Sequence, residues 1–591
     1  FKNVVRSITA ELNSNFTSRL SNQFLATYTR IQDTRSTPSD QLFPFVDIGD
    51  GSHQEFLDNP ANAGKQPGFY NNYMSFGTEL FSYNNDVVNN NYSFINNLNL
   101  QADKHNFTFG AAFEIQNYGN SYTRMGTSYY RYNSVEDFLS TGGPNEKAPI
   151  MFGLTYPYEG QDTYSRVNFG LASVYAQDRW SVSDNFTLTY GIRAELPIYM
   201  NKLTANPSID GLRLLDVNGM PKNYDSGLWP KSKLLVSARL GFNYDVFKDR
   251  SLVLRGGTGF FSGRVPFVWL TNMPTNAGVL QNVVEPGSYN DVQGWIGNVG
   301  FNTDPYYHLN NVPKGAENVF IKTPKDGAPS SFALVDRDFK MPMIWRTSFG
   351  ADYQIPNTPL VLTGDFLYTK DINAVFQFGA NRVTPNTFLN YGSSGEVGDF
   401  GDNRVFYPKG VQAYNSAIGA NNAVVLTNTN VKGHSMSATL GVSVPNYNGF
   451  SGSLFYTYSD SKEVTGNSGS NASSAWGGSA NIHGPNDQYL YQSAFAVPHR
   501  LVANLSYRFE YGNHLSTTVG IYYNGASQGR FSYTYGNDIN NDGQNADLIY
   551  LPKESSSLKF QEYSVKYVDD NKVEHTKTFT EAEQRAGLEA Y

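Results

Sequence analysis

One short stretch carries the residue types that bind a metal ion. Asp538-Ile-Asn540-Asn-Asp542-Gly543-Gln-Asn545-Ala-Asp547 sets oxygen-bearing side chains at near-alternate positions around a glycine. Carboxylates and amides that converge on a bend are what a calcium loop needs, and Gly543 permits the bend. The spacing matches the first half of an EF-hand loop. Its twelfth position is Ile549, so the bidentate glutamate has no counterpart there, and Asp547 is the available substitute. No helical pattern flanks the stretch. Asp538, Asn540, Asp542, Asn545 and Asp547 are the expected ligands and Ca²⁺ the expected ion. The same residue types also build an ordinary surface turn without metal.

A second set is aromatic. Phe267, Trp269, Trp295, Tyr306 and Tyr307 fall in one long connection after Gly263. Flat apolar faces with a polar rim suit a sugar or peptide substrate. A large loop also needs a small core of its own, and that is the favoured reading of these rings and of Trp229 and Trp476. Gly256-Gly-Thr-Gly259-Phe-Phe-Ser-Gly263 has the glycine density of a phosphate loop. No Lys-Ser/Thr follows and no helix starts there, so close approach of strand backbones is the better explanation. The eight histidines are scattered, with no His-x-x-x-His pair and no convincing Ser/His/Asp set, so no enzyme is expected. With no cysteine, disulfides and thiolate metal sites are excluded.

The elements that must position these residues are strands. From Arg500, the positions Leu501, Ala503, Leu505, Tyr507, Phe509 and Tyr511 are apolar or aromatic, while Asn504, Ser506, Arg508 and Glu510 are polar. Val502 is the exception. Gly512 and Asn513 turn the chain. Leu515, Thr517, Val519, Ile521 and Tyr523 then resume the apolar face. Period two on both sides of a tight turn is a β-hairpin, and each arm is long enough to cross a bilayer at a tilt.

The unit repeats. Ile8, Ala10 and Leu12 pair with Phe24, Ala26 and Tyr28 around a turn near Asn13 to Asn15. Tyr92, Phe94, Leu98, Leu100 and Ala102 answer Phe107, Phe109, Ala111, Phe113 and Ile115 around Lys104-His105. A third hairpin spans about Tyr164 to Pro197. Val167, Phe169 and Leu171 alternate there, and the phase blurs at Val174-Tyr175, which suggests a bulge. Hairpins follow with turns at Lys248 to Arg250, Pro356 to Pro359 and Asn446 to Gly449, making fourteen strands with the one at Arg500.

Tight turns and long excursions alternate strictly. The excursions include about Gly263 to Pro342 and about Asp371 to Gly433. Loops beyond ~12–15 residues count against a compact soluble domain. In an outer-membrane barrel they are expected, with short turns periplasmic and long loops outside. Within one excursion, Ser134-Val-Glu-Asp137 reads as a helix start. Charged residues are only 16% of the chain, aromatics are 15%, and mean hydropathy is −0.44. No apolar run approaches the ~18 residues of a membrane helix. A barrel that shows only alternate residues to lipid averages out as polar, so this composition fits one. Lipid offers no partner for a free backbone N–H or C=O, so such a sheet has to close. Trp180 and Trp345 are expected in the two interfacial aromatic belts, and Glu195, Arg239, Asp352 and Arg508 on a hydrated lumen wall. A net charge of −8 gives no reason to expect nucleic acid.

Tyr175-Ala-Gln-Asp-Arg-Trp180 followed by Leu188-Thr-Tyr-Gly-Ile-Arg193 resembles the barrel hairpin of TonB-dependent outer-membrane receptors. Pro498-His-Arg500 before an alternating strand, with Asp547-Leu-Ile-Tyr-Leu-Pro552, resembles the Oar-like branch common in Bacteroidetes. The resemblance covers most of the chain. It implies a 22-stranded barrel, plugged by an N-terminal domain and energised by TonB. No plug, no TonB box and no terminal aromatic strand is visible here. Phe1 follows no signal-peptide pattern, so the sequence reads as a piece or processed form of something longer.

The expected fold is therefore all-β: a large antiparallel transmembrane barrel with long extracellular loops. Residues 1–530 are the expected barrel and 531–591 an external loop region, with a short helix at Thr580-Glu-Ala-Glu-Gln-Arg-Ala. The expected function is uptake of a large or scarce substrate across the outer membrane of a Gram-negative bacterium. The alternative is a barrel without transport, an adhesin or a subunit of a surface or secretion assembly. Expected partners are the lipid bilayer, TonB by resemblance, and a surface lipoprotein or secretion-system chain.

Overall fold

The computed structural model describes residues 1–590 apart from 38, 40, 64–69, 286–293, 384–386, 390–401, 409, 552–559 and 569–572. Pro552 and Lys553 lie outside the described residues.

Fourteen strands form one antiparallel meander in chain order: β1 (Lys2–Asn15), β2 (Leu20–Thr34), β3 (Asp86–Ala102), β4 (His105–Ser121), β5 (Tyr164–Ser183), β6 (Phe186–Tyr199), β7 (Leu235–Asp245), β8 (Leu252–Ser262), β9 (Met343–Gln354), β10 (Val361–Gly379), β11 (His434–Tyr447), β12 (Phe450–Glu463), β13 (His499–Tyr511) and β14 (Leu515–Ala526). Among the described residues, no pairing joins β14 to β1.

Register confirms the alternation. In β13–β14, Leu505 faces Ile521, Tyr507 faces Val519 and Tyr511 faces Leu515. In β3–β4, Leu100 faces Phe107, Leu98 faces Phe109 and Phe94 faces Phe113. Cross-strand apolar pairs of this kind stabilise a sheet face, and a slip of one residue would turn every one inward. The turns are short where expected. Asn448 and Gly449, both with positive φ (52° and 85°), close β11–β12 in the way an Asn-Gly hairpin requires. Three turn positions shift, the β11–β12 turn narrowing to Asn448-Gly449 because β11 runs on to Tyr447. β1 runs on to Asn15, so its turn is residues 16–19, and the β3–β4 turn is Asp103-Lys104, with His105 already in β4.

The third hairpin differs from the sequence reading. β5 pairs with β4 without interruption from Tyr164 to Trp180, and no bulge lies at Val174-Tyr175. Val167, Phe169 and Leu171 stand on the inner face, opposite Tyr118, Gln116 and Glu114. Val174 and Ala176 stand on the outer face. The apolar pattern changes face because the upper end of β5 packs against folded loops inside the mouth, where Val167 and Phe169 are buried. The pairing of β5 with β6 shifts only beside the short turn, at Phe186/Thr187, and an irregularity that changes face lies in β10. Asp371 pairs with Ile344 and Asn373 with Met343, so Ile372 is an extra residue. That shift turns Ala374, Phe376 and Phe378 inward onto the loop core, and carries β10 past Asp371 to Gly379.

The long excursions are not bare loops. Ser331–Val335 lies parallel to Asn422–Thr429, which extends β10 above the barrel. A helix, α1 (Phe267–Asn276), packs on Ser331–Val335 and on β5, burying Leu270 and Met273. A separate five-stranded sheet joins Gln281–Val284, Met151–Pro157, Tyr129–Tyr132, Phe45–Gly49 and Asn72–Phe76 around Tyr130, Tyr132 and Phe152. The expected helix start is present. Val135–Leu139 is helical, and the Ser134 hydroxyl accepts the Asp137 N–H at 3.1 Å. Beyond β14, Tyr563–Val568 pairs with Glu574–Phe579, and a helix follows at Glu581–Ala590.

Candidate functional site

The Asp/Asn loop is held closed by its own main chain. Asp538 accepts the Asp542 N–H at 3.0 Å and the Gly543 N–H at 2.7 Å through its two oxygens. Asn540 accepts from Asp542 at 2.9 Å, and Asp547 from the Ile539 N–H at 2.9 Å. Gly543 takes φ 85°, the left-handed bend that glycine permits. Asn540, Asp542 and Asp547 are buried, whereas Asn545 is exposed. Among the described residues, no three histidine or carboxylate side chains are grouped to hold a metal ion. A cation here would also need Asn540 and main-chain carbonyls.

Burial, reinforced by the Asp538 and Asp547 charges, pushes the Asp542 carboxyl up to about 6. It does so against the pull of Arg382, whose Nη2 lies 3.5 Å from Asp542 Oδ2. Burial also raises Asp547. Arg382 had no signal in the sequence, being 160 positions away. Its guanidinium sits 5.2 Å over the Trp476 ring, and it donates to the Asp542 carbonyl. Asn486 completes the clasp: its Oδ1 accepts from Trp476 Nε1 at 2.7 Å and from the Gly379 N–H at 2.7 Å. Three excursions are thereby tied to the top of β10. A cavity of about 290 Å³ beside the clasp is lined by Arg382, Gln412, Tyr414, Asn422, Asp542 and Gln544.

The aromatic set is divided between two cores. Phe267 packs 5.1 Å from Phe169 and 5.7 Å from Tyr118. Trp269, on the same helix, donates Nε1 to the Gly469 carbonyl at 2.9 Å. Trp295 and Tyr306 belong to the other core, with Trp295 edge-on to Phe152 and Phe320. Tyr307 is exposed beside His308. Trp229 is buried against Tyr199 and Trp476 is almost fully enclosed. These rings mostly cement the loops.

The lumen wall is polar, as the alternation requires. Arg255 pairs with Asp352 and, at 2.7 Å, with Asp365; Arg193 pairs with Glu195 at 2.9 Å. Arg239 lies 4.5 Å over Phe261, and Arg508 reaches Glu510 at 3.2 Å. Trp180 and Trp345 both stand on the outer face. Trp180 is beside the short-turn end, stacked on His105, and Trp345 is at the long-loop end, opposite Phe260. Gly256 lies inside β8, where a Cβ would meet the Phe242 ring at 2.6 Å, so this glycine leaves room for that ring.

Solved structures of similar fold include the outer membrane transporter YddB from Escherichia coli, at 12% identity and TM-score 0.46, covering 85% of this chain and 48% of that one. The ferric yersiniabactin uptake receptor FyuA from Yersinia pestis is 10% identical at TM-score 0.40, with 88% and 49% covered. The FrpB iron transporter from Neisseria meningitidis is 11% identical at TM-score 0.39, with 86% and 50% covered. The chain spans about half the length of these structures. No curated protein matches. The family profile of the outer membrane beta barrel domain matches residues 2–529, and the chain belongs to that family.

Proposed function

We propose that this barrel is the wall of an outer-membrane transporter or receptor that takes up a substrate too large or too scarce for simple pores. The observation that carries the reading is the pairing of two features. Arg255, Asp352, Asp365, Arg193 and Glu195 line the inner face with charge, and among the described residues the excursions fold into a packed cap at the long-loop end. A hydrated wall suits passage, and a capped mouth suits capture. The cavity between Arg382, Tyr414, Asn422 and Gln544 offers amide and charged groups that fit a polar solute.

The finer assignments rest on resemblance. The Oar-like placement rests on Pro498-His-Arg500 leading into β13. Closure to 22 strands by further strands, coupling to TonB, the boundary near residue 530 and a lipoprotein or secretion partner belong to the same proposal. Calcium at Asp538 to Asp547 is favoured by the repulsion among Asp538, Asp542 and Asp547, which a divalent cation would relieve.

The test is depletion of solutes from growth medium by cells with and without the full-length protein, each in the presence and absence of TonB. Uptake of some solute that needs both proteins is expected. Identical depletion profiles in all four strains would overturn the transport reading. Surface binding without TonB-dependent uptake would favour the non-transporting alternative.

A further inference from the structure

Asp178 is an acidic side chain on the outer wall. Its register partners are Phe107 on β4 and Tyr190 on β6, both on the apolar outer face. Its side chain is 3% exposed. Oδ2 is paired, with His105 Nδ1 at 2.6 Å and the Tyr190 hydroxyl donating at 2.8 Å. Oδ1 is enclosed and, among the described residues, accepts no hydrogen bond. A carboxylate oxygen left without a donor next to lipid is expensive, so this one invites a donor.

A groove of about 420 Å³ runs from this carboxylate along the outer face. Phe107, Phe109, Tyr190 and Ile192 form its sides. Ala176 is its floor, in register between Phe109 and Ile192, and is small enough to leave the space open. Gln177, Gly191 and Arg239, whose side-chain positions belong to the inner face, also border it, and the rings and aliphatic groups of the outer face make most of the lining apolar. The Asp178 end lies near the short turn Asp103-Lys104, where Trp180 stacks 5.4 Å from His105. Short turns of outer-membrane barrels face the periplasm, and interfacial aromatics sit at headgroup level.

We propose that this groove is a site for a phospholipid of the periplasmic leaflet with a primary ammonium headgroup. The ammonium donates to Asp178 Oδ1, one acyl chain lies over Ala176, and Lys104 in the adjacent turn supplies positive charge at phosphate level. His105, one third exposed, is the side chain that can swing aside to admit the headgroup. A primary ammonium carries three donors on one compact charge, which a buried carboxylate oxygen accepts well. A quaternary ammonium has no N–H to give, and a glycerol headgroup leaves the lipid a net anion that Asp178 repels.

The test is native mass spectrometry of the full-length protein in detergent, offered equimolar phosphatidylethanolamine, phosphatidylcholine and phosphatidylglycerol. Phosphatidylethanolamine adducts should exceed the other two by about tenfold, the range of one charge-assisted hydrogen bond. Asp178→Asn should abolish that preference. Ala176→Phe fills the groove without touching the carboxylate, so it tests the site even if Asp178→Asn does not fold, and it should lose the adducts. Heat-modifiable migration on a gel verifies that each variant is a folded barrel. Equal retention of the three lipids, or an unchanged preference in folded Asp178→Asn or Ala176→Phe, would overturn the proposal.

Discussion

Leu505→Arg puts a charge on the outer face at the middle of a strand. Leu505 is the central residue of β13, which runs from His499 to Tyr511. At ~3.4 Å per residue and a ~40° tilt, the six residues on either side span about 15 Å of membrane depth, which centres Leu505 in the ~25 Å apolar band. The side chain is 45% exposed, and its Cδ2 lies over Gly452. Little packing is lost on replacement, so the cost is mainly that of holding a guanidinium in hydrocarbon, about 2–4 kcal/mol at the midplane. Ser506 is its neighbour on the inner face, in register with Ser451 and Gly520. Ser506→Arg meets water and other polar groups, and should cost under about 1 kcal/mol. The assay is equilibrium urea unfolding of the full-length protein refolded into phospholipid vesicles. Equal destabilisation by the two substitutions, or a larger cost at Ser506, would refute the facing assigned to the barrel.

Three further outcomes follow from particular residues. Asp542 in the fold titrates near 6 rather than at its ordinary 3.8, so the folded loop binds this proton more tightly than the unfolded chain does. The stability it contributes, about 3 kcal/mol locally at most, is full below about pH 4 and lost as pH rises through 6. Hydrogen exchange of residues 531–549, corrected for intrinsic rates, should therefore quicken from pH 4.5 to 8 in the native protein and stay level in Asp542→Asn; millimolar calcium should restore native protection at pH 8, and no effect of calcium would remove the metal reading. Trp476→Ala should loosen the cap by about 3–5 kcal/mol, seen as new protease cuts near residues 472–486 with the barrel still heat-modifiable. Arg255→Met separates a wet lumen from a dry one: with Arg255, Asp352 and Asp365 each more than a third exposed, the loss should be under about 1 kcal/mol in urea unfolding, whereas a dry interior would make it about 3–5.

Most of the wall was legible because an outer-membrane strand declares its two faces locally. Leu98 against Phe109 and Leu505 against Ile521 need only period two and a turn to be paired. The pattern failed where one strand serves two surroundings. Val167, Phe169 and Leu171 look like a lipid face, yet they point inward, since the upper lumen is filled by α1 and the parallel strand pair. Ile372 shifts the phase of β10 for the same reason, and a single extra residue leaves no mark in composition. The helix at Phe267 went unread because its residues bury several sides and it contains Pro274. The clasp among Arg382, Trp476, Asn486 and Asp542 joins segments remote in sequence, so spacing carried no information about it. Asp178 was visible inside a family-like motif, but its outward direction follows only from its pairing with Phe107 and Tyr190.

These 591 residues contain no cysteine, so with any cysteine elsewhere in the full-length protein replaced by serine, one introduced cysteine gives a single label. Placing it in turn at each position from Met436 to Val444 of β11, in the full-length protein in bilayers, and attaching a nitroxide tests the central claim directly. Collision rates with oxygen should peak at Met436, Ala438, Leu440, Val442 and Val444, and rates with a water-soluble nickel complex at Ser437, Thr439, Gly441 and Ser443. Accessibility that runs level along the strand, or both probes peaking at the same positions, would contradict a wall with oil on one side and water on the other.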